Sequence, residues 1–270
     1  MLPPDDRPLS LPHLPKARVT TVAISETAGE SINKLTQLGI RCIRIPVHPQ
    51  LPDGINSHAD LQMFHMELSD IFADEHLFGA LQEQSFHVKQ ISERLGKEYP
   101  ADVRFNAFRL GNRLICNPNT ISQSILEDAR KRHLELIPVK QGYAKCGACC
   151  LNNNVIITDD PGISQSAQFF CDDHLFISKG SIRLSGYEYG FIGGCCGMID
   201  RDLIAWNGRI ETHSDAEKIL AFLKKHQIRS INLNNGPLTD IGGILPLKEK
   251  AKTDHSYNSI RYNNKKKPNQ

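Results

Sequence analysis

Apolar and polar positions along this chain fall into a pattern that repeats. Three stretches read alike: "DVRFNAFRLGNRLICNPNTI" (102–121), "YAKCGACCLNNNVIITDDPGI" (143–163) and "FIGGCCGMIDRDLIAWNGRI" (191–210). A weaker fourth, "HADLQMFHMELSDIFADEHL", spans 58–77. Each has a small or apolar run, a polar turn such as "LGNR", "LNNN" or "IDRD", and a second apolar run, which is the signature of a β-hairpin. The segment after each hairpin recurs too. "SQSILEDARKRHLELIPV" and "SQSAQFFCDDHLFIS" read as a helix and then a strand. In "ETHSDAEKILAFLKKHQIRSINL", Ile219, Phe222 and Leu223 have helical spacing, and Ile228, Ile231 and Leu233 begin a strand. The N-terminal "VTTVAISETAGESINKLTQLGIRCIRIPV" is strand, helix, strand, lacking a first strand. The C-terminal "GPLTDIGGILPL" is a first strand lacking its partner.

The two incomplete ends complement each other. A strand within 238–247 pairing with one in 19–24 makes a fifth unit, and the units then start near 58, 104, 144, 192 and 239. Five ββαβ-like pseudo-repeats, the last shared between the termini, predict a five-bladed α/β propeller closed by its N- and C-terminal strands. Closure leaves no strand edge exposed. The alternative is an open α/β sheet. Residues 18–247 then form one domain, 1–17 an extended Pro-rich lead-in, and 248–270 a basic, polar tail with little to bury.

Composition narrows the picture. The 270 residues are 40% hydrophobic and 23% charged, ordinary globular values. No run of 18 apolar residues exists, so no membrane span is expected. The N-terminus lacks the basic start and apolar block of a signal peptide, so the eight cysteines read as reduced thiols and the cytoplasm as the compartment. The net charge of +2 divides into about +5 after residue 247 and about −3 before it. A near-neutral body is not a nucleic-acid surface, so nucleic acid is not an expected partner. "GFIGGCCG" is glycine-rich but precedes a strand pattern, whereas a phosphate-cradling loop needs a helix N-terminus there. No cofactor is therefore expected. "NPNTISQSI" and "TDDPGISQSA" are turn-to-helix junctions, with Asn119 or Thr120 and Asp160 as caps.

Two patterns carry candidate chemistry. "CGAC" and "CDDH" set Cys146 and Cys149 against Cys171 and His174, a spacing that fits a structural zinc site. The repeat places one pair at a strand start and the other after a helix, which argues against a shared ion. "SHAD" supplies His58 and Asp60, which share one face if extended. A second His-x-Asp, His213 and Asp215, falls at a helix start and reads as structural, as does His65.

The five-unit ring, with "QGYAKCGACC" and "GYEYGFIGG", resembles the pentein, or guanidine-group-modifying-enzyme (GME), superfamily, and most closely an uncharacterised bacterial GME-fold family. The resemblance covers roughly 18–247. It implies a cysteine nucleophile, a histidine acid/base and carboxylates gripping a planar cation in a central channel. Carried onto this sequence, it makes Cys146 the nucleophile and His58 the proton carrier. Asp60, Asp240 and Lys145 hold the small-molecule ligand, and Lys145 also favours the thiolate. The enzymes of the superfamily carry their cysteine near the start of the last unit, and "GPLTDIGGILPL" has none. Cys195 and Cys196 are the other thiols at a unit start. The resemblance implies either a hydrolase or amidinotransferase acting on a guanidine-type C–N bond, or a non-catalytic member binding a small ligand or a protein partner.

Overall fold

A computed structural model describes residues 6–251. Its strands form five separate small sheets. The first contains β1 (Asp6–Pro8), β2 (Val19–Ser25) and β3 (Arg41–Ile45), with α1 (Gly29–Gln37) between the last two. The second follows a short helix, α2 (Ala59–Gln62). It pairs β4 (Met63–Glu67) antiparallel with β5 (Asp70–Ala73), which runs parallel, past α3 (Phe78–Gln82), with β6 (His87–Lys89). The third repeats this order with β7 (Phe108–Leu110), β8 (Arg113–Cys116), α4 (Gln123–Lys131) and β9 (Glu135–Pro138). The fourth uses β10 (Ala148–Asn152), β11 (Val155–Thr158), α5 (Pro161–Ala167) and β12 (Asp173–Phe176). The fifth uses β13 (Cys196–Asp200), β14 (Leu203–Trp206), α6 (Ala216–Lys225) and β15 (Arg229–Asn232). The last strand, β16 (Leu245–Lys250), returns to the first sheet and lies antiparallel to both β1 and β2. The ββαβ reading of the sequence thus holds unit by unit.

The elements follow from local chemistry. "VIIT" is β-branched throughout, suiting a strand buried on both faces, with the Thr158 hydroxyl bonded to the Gly147 carbonyl. Asp160 caps α5 by accepting from the Ile163 N–H at 2.8 Å, with Pro161 at the first helical position. At α4 the cap is Ser122, not Asn119 or Thr120: Asn117 instead accepts from the Asn119 N–H to close the preceding turn. Helices of nine or ten residues are marginal alone in water. Here each of the longer ones lays an apolar stripe on a sheet, as α6 does with Ile219, Phe222 and Leu223.

Five clusters of buried apolar residues hold the sheets together, each joining two neighbours. Phe64 and Leu114 join the second sheet to the third. Ile115 and Cys150 join the third to the fourth, and Cys149 and Met198 the fourth to the fifth. Ala205 and Val22 join the fifth to the first, and Ile45 and Met63 the first to the second. Along β10, Ala148 and Cys150 enter one cluster while Cys149 and Leu151 enter the next, as strand alternation requires.

Three expectations shift at the ends. The returning strand begins at Leu245 rather than near 238, because Gly242 and Gly243, both at positive φ, turn the chain first. Lys248 and Glu249, expected in the tail, are buried within β16. The lead-in is packed into the fold: β1 pairs with β16, and Leu9, His13 and Leu14 are buried. The tail from residue 252 onward lies outside the described residues. Among the described residues no helix is long and apolar enough to cross a membrane.

Candidate active site

The segments that lead into the first strand of each sheet converge. His58 and Asp60 precede β4, Asn106 precedes β7, Lys145 and Cys146 precede β10, Gly193 and Gly194 precede β13, and Asp240 precedes β16. Their side chains and backbone form one hydrogen-bonded group. The Cys146 thiol donates to Asp60 Oδ2 at 3.0 Å. Asn106 Nδ2 donates to the Cys146 sulfur at 3.2 Å and to the Asp60 carbonyl at 3.2 Å. Its Oδ1 accepts from the Lys145 N–H at 2.7 Å. The Gly193 N–H donates to the Cys146 carbonyl at 2.7 Å, and Lys145 Nζ donates to the Gly193 carbonyl at 2.9 Å. Asp240 accepts from the Phe191 and Gly242 N–H groups at 2.9 and 3.0 Å. Its Oδ1 lies 3.7 Å from His58 Nδ1, an ion-pair separation longer than a hydrogen bond.

His58, Cys146 and Asp240 line a single cavity of about 240 Å³. Its remaining walls are largely the aromatic rings of Tyr143, Tyr187, Tyr189 and Phe191. A second cavity of about 330 Å³ shares His58 and Asp240 and is bounded by polar groups such as Ser31, Asn207 and Asn234. Glycines make the crowding possible. A Cβ on Gly242 would collide with His58, and one on Gly194 with the Asp240 carboxylate.

Burial dominates the electrostatics. Asp60, fully enclosed, is pushed up to about 6; Lys145 and then His58 oppose the rise, and Asp240 adds to it. Its Oδ1 has no hydrogen-bond partner. The Cys146 thiol is pushed well above its ordinary range, first by burial and then by the Asp60 and Asp240 charges. Lys145 pulls the other way but does not prevail, so the expected Lys145-favoured thiolate is not the resting form of this site.

Other placements differ from expectation. His58 and Asp60 are not on a strand: His58 is the N-cap residue of α2 and Asp60 sits in its first turn. The step from cap to helix turn, rather than strand alternation, sets their relative directions. Lys145 does not line the cavity; it supports the site through Gly193 and through its charge. The zinc quartet does not gather. Cys149 is on β10, His174 is on β12 with β11 between them, and His174 Nε2 instead faces the Ser164 hydroxyl at 3.1 Å. Among the described residues, the one three-ligand grouping is His48, Asp74 and His76, whose residues line neither cavity. Cys195 and Cys196 are buried and line neither cavity. Asp215 accepts from the Ser178 N–H and from Lys218, a structural role as expected.

Sequence reasoning missed Asn106, because its partner lies 40 residues away and "RFNAF" has no motif. It also missed the aromatic wall, although "GYEYGF" sets a Tyr, Tyr and Phe at alternate positions before the glycine-rich turn.

The fold is shared with solved structures of dimethylarginine dimethylaminohydrolase and agmatine deiminase. DDAH from Pseudomonas aeruginosa, a cysteine-to-serine variant complexed with citrulline, matches with a TM-score of 0.54 at 10% identity, covering 86% of this chain and 99% of that one. A cysteine-to-serine variant of C. jejuni agmatine deiminase with substrate bound matches with a TM-score of 0.53 at 9% identity, covering 93% and 99%. A dimethylarginine dimethylaminohydrolase variant, as an adduct with S-methyl-L-thiocitrulline, gives 0.53 at 10% identity, covering 86% and 99%. These likenesses show that the chain shares their fold. The chain belongs to a family of unknown function, DUF6873, whose model matches residues 23–245. No curated protein matches.

Proposed function

We propose that this chain is a cysteine-dependent enzyme acting on a C–N bond of a small guanidine or amidine, and that its five sheets form a closed five-bladed ring around the site. The cyclic order of the five core clusters supports the ring. The observation that carries the function is that Cys146, His58 and Asp240 line one cavity, with Asp60 hydrogen-bonded to the thiol. The neighbouring enzymes named above supply the chemical class; the residues are this chain's own.

In this reading the planar cation enters beside Asp240, with the enclosed Asp60 carboxylate next to the thiol. The cation's charge offsets theirs and lowers the cost of a thiolate, so the substrate itself readies Cys146. As the thiol proton passes to Asp60 Oδ2, to return when the thiol is restored, the sulfur bonds to the amidine carbon and the C=N π pair moves onto nitrogen. The C–N bond breaks, its electron pair leaves with nitrogen, and His58 delivers the proton that releases the amine. Water then adds at the same carbon, giving a proton to His58, and the S–C bond breaks to restore the thiol. The balance is guanidinium plus water to urea-type product plus ammonium. The polar cavity that shares His58 and Asp240 provides room for that water. Eight unpaired thiols suit the cytoplasm, and no step calls for a cofactor.

The test is release of ammonium and ureido product from a panel of guanidines by the full chain. Cys146→Ala and His58→Ala are each expected to lose at least about 10²-fold. The second reading is a ligand-binding protein without turnover. The strongly raised Cys146 thiol favours it, and binding without product release across the panel would establish it.

A further inference from the structure

Resting on the reading above, we propose that the site selects guanidines whose far end is cationic or apolar and rejects those that carry a carboxylate. Ten residues line the aromatic cavity, and neither Lys nor Arg is among them. Apart from His58, whose proton is engaged with Asp240 and the leaving nitrogen, its charged members are acids: Asp240, and Glu188 on an exposed stretch. Between them stand aromatic faces. Tyr143 stacks on Phe191 with centroids 6.1 Å apart and planes 26° apart. Tyr189 meets Phe191 edge-on at 6.2 Å and 83°.

A carboxylate drawn into this space would lose water without gaining a partner, and it would face two like charges. The neighbouring cations do not remedy this. Lys145 is buried and donates to the Gly193 carbonyl. Lys179 lies 5.5 Å from the Tyr189 ring centroid but does not line the cavity, and nor does the exposed Arg183. A second ammonium, by contrast, meets ring faces and the Glu188 carboxylate. An alkyl end meets the same rings together with Ile55 and Leu184.

Three probes with one guanidine group decide the matter: agmatine, butylguanidine and L-arginine, titrated calorimetrically into the full chain carrying Cys146→Ser. Agmatine and L-arginine differ only by the carboxylate. Agmatine is expected to bind at least about tenfold more tightly than L-arginine, with butylguanidine between. Glu188→Gln is expected to narrow the agmatine margin over butylguanidine by about two- to fivefold, as for an exposed charge pair. The same compounds, competing against alkylation of Cys146 in the unaltered chain, give the same order even if the serine variant folds poorly. L-Arginine binding as tightly as agmatine overturns this inference while guanidine recognition stands. An unchanged margin in Glu188→Gln overturns the part assigned to Glu188. Binding of none of the three overturns both this inference and the function it rests on.

Discussion

Asp60 holds a carboxylate in a place that costs the fold stability. Its acid is raised to about 6 from an ordinary 3.8, so the folded chain binds this proton more tightly than the unfolded chain does. The stability associated with the group is therefore fully present below about pH 4 and is lost as pH rises through about 6. Asp60→Asn should be more stable than the parent at pH 8, by an amount of order 2–3 kcal/mol, and the gain should vanish near pH 4. Denaturant unfolding of both proteins at the two pH values measures it; equal stability at pH 8 would mean that burial does not strain this carboxylate. The difference between variants is the useful quantity, because Asp70, lowered to about 2 by its His87, Arg132 and Lys89 partners, gives the parent a component of opposite sign at acid pH. Cys146, His58, Asp60 and Asp240 were legible in the sequence because their residue types carry chemistry and their positions recur at unit starts. The direction of the thiol's shift was not. It depends on how completely Cys146 is enclosed, which a neighbouring lysine in the sequence does not reveal.

The entry segments are the elements that make the site. They are turns and single helical turns rather than strands, and they tolerate close packing only where a side chain is missing. Gly242, at φ +72°, abuts His58, so Gly242→Ala must displace the imidazole and strain the backbone together. We expect a loss of about 1–3 kcal/mol in unfolding free energy and at least a tenfold loss of turnover. Gly79→Ala in α3, where an added Cβ meets nothing within 4 Å, should be neutral or stabilising by up to about 1 kcal/mol. If both substitutions behave alike, the packing account of the entry segments fails. The hairpins were readable because polar turns separate apolar runs. The start of β16 and the helical turn at 58–62 were not readable, because positive-φ glycines and a local cap override the alternation that the letters imply.

For the whole molecule, the first and last strands of the described residues are held in one sheet. Glu249, buried in β16, accepts from Arg7 Nε at 3.0 Å and from the Lys16 and Ala17 N–H groups. Removing residues 245–250 takes away the strand between β1 and β2 and strips Leu245 and Leu247 from one of the five core clusters. A chain ending at residue 244 is expected to lose cooperative thermal unfolding, and a sharp transition near the parent's Tm would contradict the shared-sheet account. The sequence conveyed this closure through two half-units that only complete each other. It did not convey that β1 joins the same sheet, because three residues of strand within a proline-rich segment have no period to detect.

The central claim is that Cys146 is a nucleophile in a site built for a planar cation. The most direct measurement is site-resolved mass spectrometry after reaction with 2-chloroacetamidine, a cationic amidine, alongside the neutral iodoacetamide. Two carboxylates beside the thiol should draw in the amidinium and offset the cost of the thiolate. The account predicts that 2-chloroacetamidine modifies Cys146 faster than it modifies free cysteine, leaves the other seven thiols intact over the same interval, and outpaces iodoacetamide at that position. Reaction at Cys146 no faster than at free cysteine, or first at the less buried Cys42 or Cys171, would contradict it.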